Sequence, residues 1–333
     1  MLDVVSTVAA QTFVQNNSYP WPNFFIVGAP KTGTTSLYHY LRQHPQIYMS
    51  PVKEPCYFAS EVRLENLSGE FEFIARKRSL RLREFLEGPM TGVDPGGIVA
   101  NPEDYLRLFQ RVDREAAIGE ASVCYLRSPT AAANIRSRIP EAKIVVILRD
   151  PAERAFSQYL QYAANGLVRR SFREHLERSA RNTCREFSTL YPLLENGLYS
   201  GQVKRYLELF PHANIQIHFY EEAWRDPLAF LQALFRFLRV DSDFRADVSQ
   251  RSLQRQAPKV LTSYYLFRKS GVAQRLKALA PKPIRDRVRP FLFKSDSSLR
   301  MEPADRRYLC DFYQDDVRRL SSLLDRDLRA WLR

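Results

Sequence analysis

FFIVGAPKTGTTSLYHYL, residues Phe24 to Leu41, is the stretch whose reading decides the fold. It opens on a short apolar run of aromatic and β-branched side chains that stops at Gly28, as a strand buried on both faces does. After the turn, Leu37, Tyr40 and Leu41 recur at helical spacing until Pro45 stops the helix. Strand, glycine turn and helix, in that order, are the context a phosphate-binding loop requires. The turn departs from the common phosphate loop G-x-x-x-x-G-K-[ST]. Gly28 and Gly33 keep the four-residue gap, but Thr34 follows Gly33 and the lysine is Lys31. Backbone N–H groups at such a turn, with the positive end of the helix dipole, bind an anion. Thr34, Thr35 and Ser36 add hydroxyls at the helix start, and Lys31 approaches from a different side than the usual lysine.

Outward from this unit the pattern repeats. Short strands are expected at Ile47–Met49, Ala117–Ser122, Lys143–Arg149 and Ile215–Tyr220, with helical stretches at Tyr105–Val112, Glu153–Tyr162 and Gly201–Phe210. Strands alternating with helices predict an α/β fold of the P-loop type: three layers, with a central parallel sheet of about four or five strands flanked by helices. Residues 1–22 read as a lead-in and 23–333 as one domain. Gly88–Gly97, rich in Gly and Pro, reads as a loop. A closing helical stripe carries Leu309, Phe312, Val317, Leu320, Leu324 and Leu328 as expected core.

Composition narrows the classes further. The 333 residues are 45% hydrophobic, with no apolar run of membrane-spanning length. Asp3 and the lack of an early basic cluster argue against a signal peptide. Cys56, Cys124, Cys184 and Cys310 are scattered, and the five histidines share no ligand spacing. A reduced, soluble, cytoplasmic protein without a metal is expected. Of the net charge of +13, residues 251–300 hold nearly all, with 13 Lys+Arg against two acids. Such a basic, helical block suits an anionic partner: nucleic acid, membrane lipid or an acidic substrate.

A second constellation follows the strongest strand, in RDPAERAFSQY. Arg149 stands at the strand's carboxyl end and Ser157 eight residues on, an arginine fork and a hydroxyl suited to a second phosphate. Together, PKTGTTSL at Pro30–Leu37 and VVILRDPAERAFSQY at Val145–Tyr159 resemble the two nucleotide-binding signatures of sulfotransferases that use 3′-phosphoadenosine 5′-phosphosulfate, PAPS. The likeness extends through HPQIYMSPVKEPCYF, GEASVCYL and NGLYSGQVKRYLELFP, covers most of Phe24 to Leu332, and is nearest to carbohydrate-type and bacterial members. The resemblance implies that Lys31, Thr32, Gly33, Thr34, Thr35 and Ser36 hold the 5′-phosphosulfate, and that Arg149 and Ser157 hold the 3′-phosphate. It implies Lys31 stabilising the leaving phosphate and Glu54, in KEPCYF, as the base that takes the acceptor hydroxyl's proton. An ion pair of Glu54 with Lys53 is the structural alternative. Glu120 is expected either to line the acceptor pocket or to buttress Lys31. Ala121, where heparan-type relatives carry lysine, and the missing glycine-lysine-rich loop near Arg251–Pro258 are departures from the family pattern.

The expected reaction is sulfuryl transfer from PAPS, leaving adenosine 3′,5′-bisphosphate (PAP), to a hydroxyl of a carbohydrate, glycolipid or similar small acceptor. A metal-dependent P-loop kinase or NTPase accounts for the loop and helix but not for Lys31 or Arg149. A non-catalytic binder of anionic lipid or nucleic acid accounts only for residues 251–300, which carry no nucleic-acid motif. The amphipathic stretch from Tyr264 to Lys282 leaves peripheral contact with an anionic membrane open.

Overall fold

The computed structural model describes residues 19–67, 70–92, 96–181, 192–249, 257–270, 293–294 and 299–333. Its centre is a five-stranded, wholly parallel sheet of β1 (Phe24–Gly28), β2 (Ile47–Met49), β3 (Ala117–Ala121), β4 (Lys143–Leu148) and β5 (Ile215–Phe219), in the order β2-β3-β1-β4-β5. The expected fold class is therefore observed. All five residues of β1 are buried, because β3 and β4 flank it and helices cover both faces.

Alternation along the strands sends side chains into two cores. On one face Phe24, Ile26, Val145 and Ile147 pack with helix α1 (Thr34–Leu41). Phe25, Val27, Ile144, Val146 and Leu148 occupy the other face, with α4 (Ala131–Arg138), α5 (Pro151–Ala164) and α7 (Tyr199–Leu209). Helices α2 (Glu70–Glu87), α3 (Pro102–Arg107) and α6 (Phe172–Ala180) are further elements, as are the short α8 (Tyr220–Ala223) and α9 (Pro227–Leu238). Beyond them lie α10 (Leu261–Lys269), a two-stranded pairing of β6 (Ala257–Pro258) with β7 (Phe293–Lys294), and the closing helix α11 (Pro303–Leu323). In α11 Tyr313 is buried where Phe312 was expected; Phe312 is exposed, because the buried stripe runs Leu309, Tyr313, Val317, Leu320. Most of the basic block at 251–300 lies outside the described residues, as do Cys184, Arg251 and Arg255.

The strand order fixes where ligands meet the sheet. The chain leaves β1 toward β2 on one side and leaves β4 toward β5 on the other, so the loops after β1 and β4 diverge. In open α/β sheets the crevice at such a switch point, at the strands' carboxyl ends, is the binding position.

Candidate functional site

The loop after β1 is wound tightly. Ala29 N–H donates to Ile147 O at 2.8 Å, and the buried Thr32 hydroxyl turns back to Ala29 O at 2.7 Å. Lys31 takes φ 70° and Gly33, the residue before α1, φ 83°. The Trp224 indole lies against Gly33: a Cβ there would stand 2.5 Å from the ring, while the ring N–H donates to Thr32 O at 3.0 Å. Only glycine meets both conditions. No side chain caps α1, so the N–H groups of its first turn and the dipole's positive end face the crevice. Thr34 and Ser36 are buried and Thr35 is half-buried at that end.

Arg149 comes to this loop from the end of β4. Its Nη1 donates to Lys31 O at 3.1 Å, its Nη2 lies 3.6 Å from Glu153, and the guanidinium rests 4.3 Å above the Tyr220 ring. The Tyr199 hydroxyl holds the Arg149 carbonyl at 3.1 Å. Ser157, also buried, sits one turn beyond Glu153 on α5. The structure thus unites the two sequence constellations, and it adds Tyr220 and Trp224, which the sequence reading missed. Their signal was positional: both follow a strand parallel to β4 and emerge at the same sheet edge.

Asp150, beside Arg149 at the end of β4, is engaged by its own helix and by α11. It caps α5, accepting from Ala152 N at 2.9 Å and Glu153 N at 3.2 Å, and pairs with Arg306 of α11 at 2.7 Å. Its counter-charge is Arg306 rather than its neighbour Arg149. A cavity of about 400 Å³ opens beside Glu153, lined also by Leu299, Arg300, Met301, Pro303 and Arg306.

Glu54 follows β2 with φ 64°, its N–H bonded to Ala121 O at 2.9 Å. One carboxylate oxygen accepts Val123 N–H at 2.8 Å, and the other pairs with Lys53, so the ion pair weighed as the alternative is formed. The side chain keeps 16% of its surface exposed, enough to meet a partner from solvent. Cys56 and Cys124, both buried and reduced, bring their sulfurs to 3.0 Å just behind this loop, and burial pushes the Cys124 thiol well up. Of the two histidines nearby in sequence, His44 is buried against Asp241 O at 2.8 Å, while His39 is exposed on α1.

Glu120 is buried rather than set on an open pocket wall. It has no exposed surface, and its carboxylate accepts the hydroxyls of Ser122 at 2.6 Å, Tyr125 at 2.8 Å and Tyr105 at 2.9 Å. Burial pushes its carboxyl up from 4.5 to about 7, with the three hydroxyls opposing. The hydroxyls of Ser122 and Tyr125, with that of Tyr105 arriving from α3, close over the carboxylate, so it stands in the interior.

A parallel sheet with a glycine loop at its switch point and an arginine delivered from the next strand defines a P-loop-like α/β protein. The comparisons narrow this class: the sulfotransferase family model matches residues 22–244, and the chain belongs to that family. A sulfotransferase structure from Alicyclobacillus acidocaldarius superposes with a TM-score of 0.69 at 32% identity, covering 94% of this chain and all of that one. Carbohydrate sulfotransferase 15 of Rattus norvegicus is 26% identical over 93% of this chain and 54% of its own length. The human bifunctional heparan sulfate N-deacetylase/N-sulfotransferase 3 is 27% identical over 66% of this chain and 22% of its own. The membrane-associated sulfotransferase kil1 of Dictyostelium discoideum is 29% identical over 41% of this chain and 22% of its own. The chain therefore spans about half or less of the length of these curated relatives. Among the described residues no helix is long and apolar enough to cross a membrane.

Proposed function

We propose that the chain transfers a sulfuryl group from PAPS to a hydroxyl or amine of a carbohydrate or glycolipid, without a metal. The observation that carries this reading is the hydrogen bond from Arg149 to Lys31 O at 3.1 Å, which puts two separate anion-binding elements against one another. The residues present fit the nucleotide: Gly33 lets the Trp224 indole close against the loop and hold its turn, α1 turns its first-turn N–H groups outward, and Arg149 is pre-oriented by Tyr220 and Glu153. Lys31, Gly33, Thr34, Thr35 and Ser36 would hold the 5′ end, with Thr32 fixing the turn, and Arg149 with Ser157 the 3′-phosphate. PAPS supplies the activated sulfuryl group. The Lys31 ammonium offsets negative charge on the departing phosphate, and α1's N–H groups add to it. Glu54, held by Val123 N–H and Lys53, takes the acceptor's proton, a role worth about 10²–10⁴ in rate. The names of the relatives, among them an N-sulfotransferase, support a sugar acceptor bearing a hydroxyl or an amine. Cytoplasmic placement belongs to the proposal too.

Calorimetry with PAP, set beside ATP plus Mg²⁺, tests the donor. Metal-independent preference for PAP, weakened strongly by Arg149→Ala, is expected; preference for Mg²⁺-ATP would overturn the reading in favour of a kinase or NTPase. A peripheral membrane contact is a second reading, supported by Val260 and Leu266, exposed at 62% and 59%, beside Arg268 and Lys269 on α10. Salt-sensitive co-sedimentation with anionic vesicles is its expected result, and no binding at low salt removes it.

A further inference from the structure

We propose that Glu120 is the positioning residue of the 54–58 loop: its carboxylate, acting through the hydroxyls of Ser122 and Tyr125, sets where Glu54 stands. The functional half of this inference rests on the reading of Glu54 as the base.

The loop does not hold its own shape. Glu54 at φ 64° and Cys56 at φ 55° both occupy the left-handed region that non-glycine residues avoid, so surrounding contacts must enforce it. Those contacts come from beneath. The Cys56 N–H donates to Ser122 Oγ at 3.0 Å, and the Phe58 N–H donates to Tyr125 Oη at 3.2 Å. A hydroxyl has one proton to give and lone pairs to accept with. Ser122 gives its proton to Glu120 Oε1 at 2.6 Å, and Tyr125 gives its proton to Oε2 at 2.8 Å. With both protons drawn inward, the lone pairs point at the loop.

In its ionised form, the state above its raised titration range, Glu120 only accepts, and that fixes the direction. The Tyr105 hydroxyl, arriving from α3, takes a further place on Oε2 at 2.9 Å, so no donor competes. An amide in the same place presents N–H groups to one of the hydroxyls, turns its proton outward, and sets it against a loop N–H. Burying an ionisable carboxyl costs stability that an apolar side chain would not. The cost has a return in a relay that ends at two backbone N–H groups on either side of Tyr57, within four residues of Glu54. The same strand end also supplies Ala121 O and Val123 N–H to Glu54 directly, so the base and its support share one frame.

Hydrogen–deuterium exchange on the full chain tests the relay, and PAPS turnover tests its consequence. In Glu120→Gln, amides of 54–58 are expected to exchange about tenfold faster, as loss of a charge-assisted hydrogen bond implies, while those of 28–36 keep their rate and PAP affinity stays within about twofold. Sulfate release from PAPS with water as acceptor falls about tenfold, and Glu54→Gln/Glu120→Gln is no slower than Glu54→Gln alone. Unchanged exchange at 54–58, or losses that multiply in the double variant, overturns the proposal. Faster exchange at 54–58 with wild-type turnover in Glu54→Gln refutes the base assignment and leaves the structural relay standing. Should Glu120→Gln not fold, Ser122→Ala, which removes one hydroxyl, is put through the same comparison.

Discussion

Gly33 carries two constraints at once, a φ of 83° and an indole where a side chain would project. Gly33→Ala is therefore expected to cost about 2–4 kcal/mol, from left-handed strain plus overpacking, seen as a lowered thermal midpoint. Adding Trp224→Ala relieves the steric part and leaves the backbone part, so the double variant recovers only partially. Arg149 shows why charge alone is not the design. Arg149→Lys keeps the cation but loses the fork between Lys31 O and Glu153 and the stacking on Tyr220. Its affinity for PAP, read by calorimetry, is expected to fall about tenfold or more. At this scale the sequence put Lys31 and Arg149 in two separate motifs, and the fold brings the Arg149 guanidinium to Lys31 O. Trp224 escaped because an aromatic after a strand looks like core until the sheet order places it over the loop. Glu120 looks like a pocket residue from its place near a strand end, and only the hydroxyls of Tyr105 and Tyr125 closing over it reveal that it is sealed.

The elements whose apolar period is clean, β1, β4, α5 and the stripe of α11, were legible without coordinates. Helix α2 was not, since half of its EFEFIARKRSLRLREFLE is charged and only Leu82 and Leu86 among its described side chains are buried. Strand β3 has a property that its sequence hides, an ionisable group in a dry position. Because Glu120's folded-state carboxyl is raised from 4.5 to about 7, the unfolded chain releases that proton first as pH rises. Its contribution to stability is thus fully present below pH 4.5 and is lost by about pH 7, a fall of at most roughly 3 kcal/mol. Glu221, whose carboxyl burial also raises, adds in the same direction. Urea denaturation across this pH range is expected to show a shallower decline in Glu120→Gln than in the wild type.

For the whole molecule, α11 acts as a brace. Arg306 joins Asp150 at the mouth of β4 to the carbonyls of Trp331 at 3.0 Å and Arg333 at 2.9 Å. Arg173 meets Asp305 at 2.7 Å, and Asp316 accepts Ser200 N–H at 3.1 Å. Arg306→Ala is expected to cost about 2 kcal/mol in chemical denaturation, less than a fully buried pair because its side chain keeps 20% exposure. Asp150→Ala is expected to cost about 1 kcal/mol more, since it also uncaps α5.

That brace bears on where one cuts the gene. The family model's match ends at residue 244, yet the strand terminus that delivers Arg149 is clamped by residues 303–333. An expression fragment trimmed to the matched span would uncover the faces that Leu309, Tyr313, Val317, Leu320 and Trp331 occupy, and would leave Asp150 with a helix to cap but no counter-charge. Such a fragment would keep every signature by which the family is detected and lose part of what holds one of them in place.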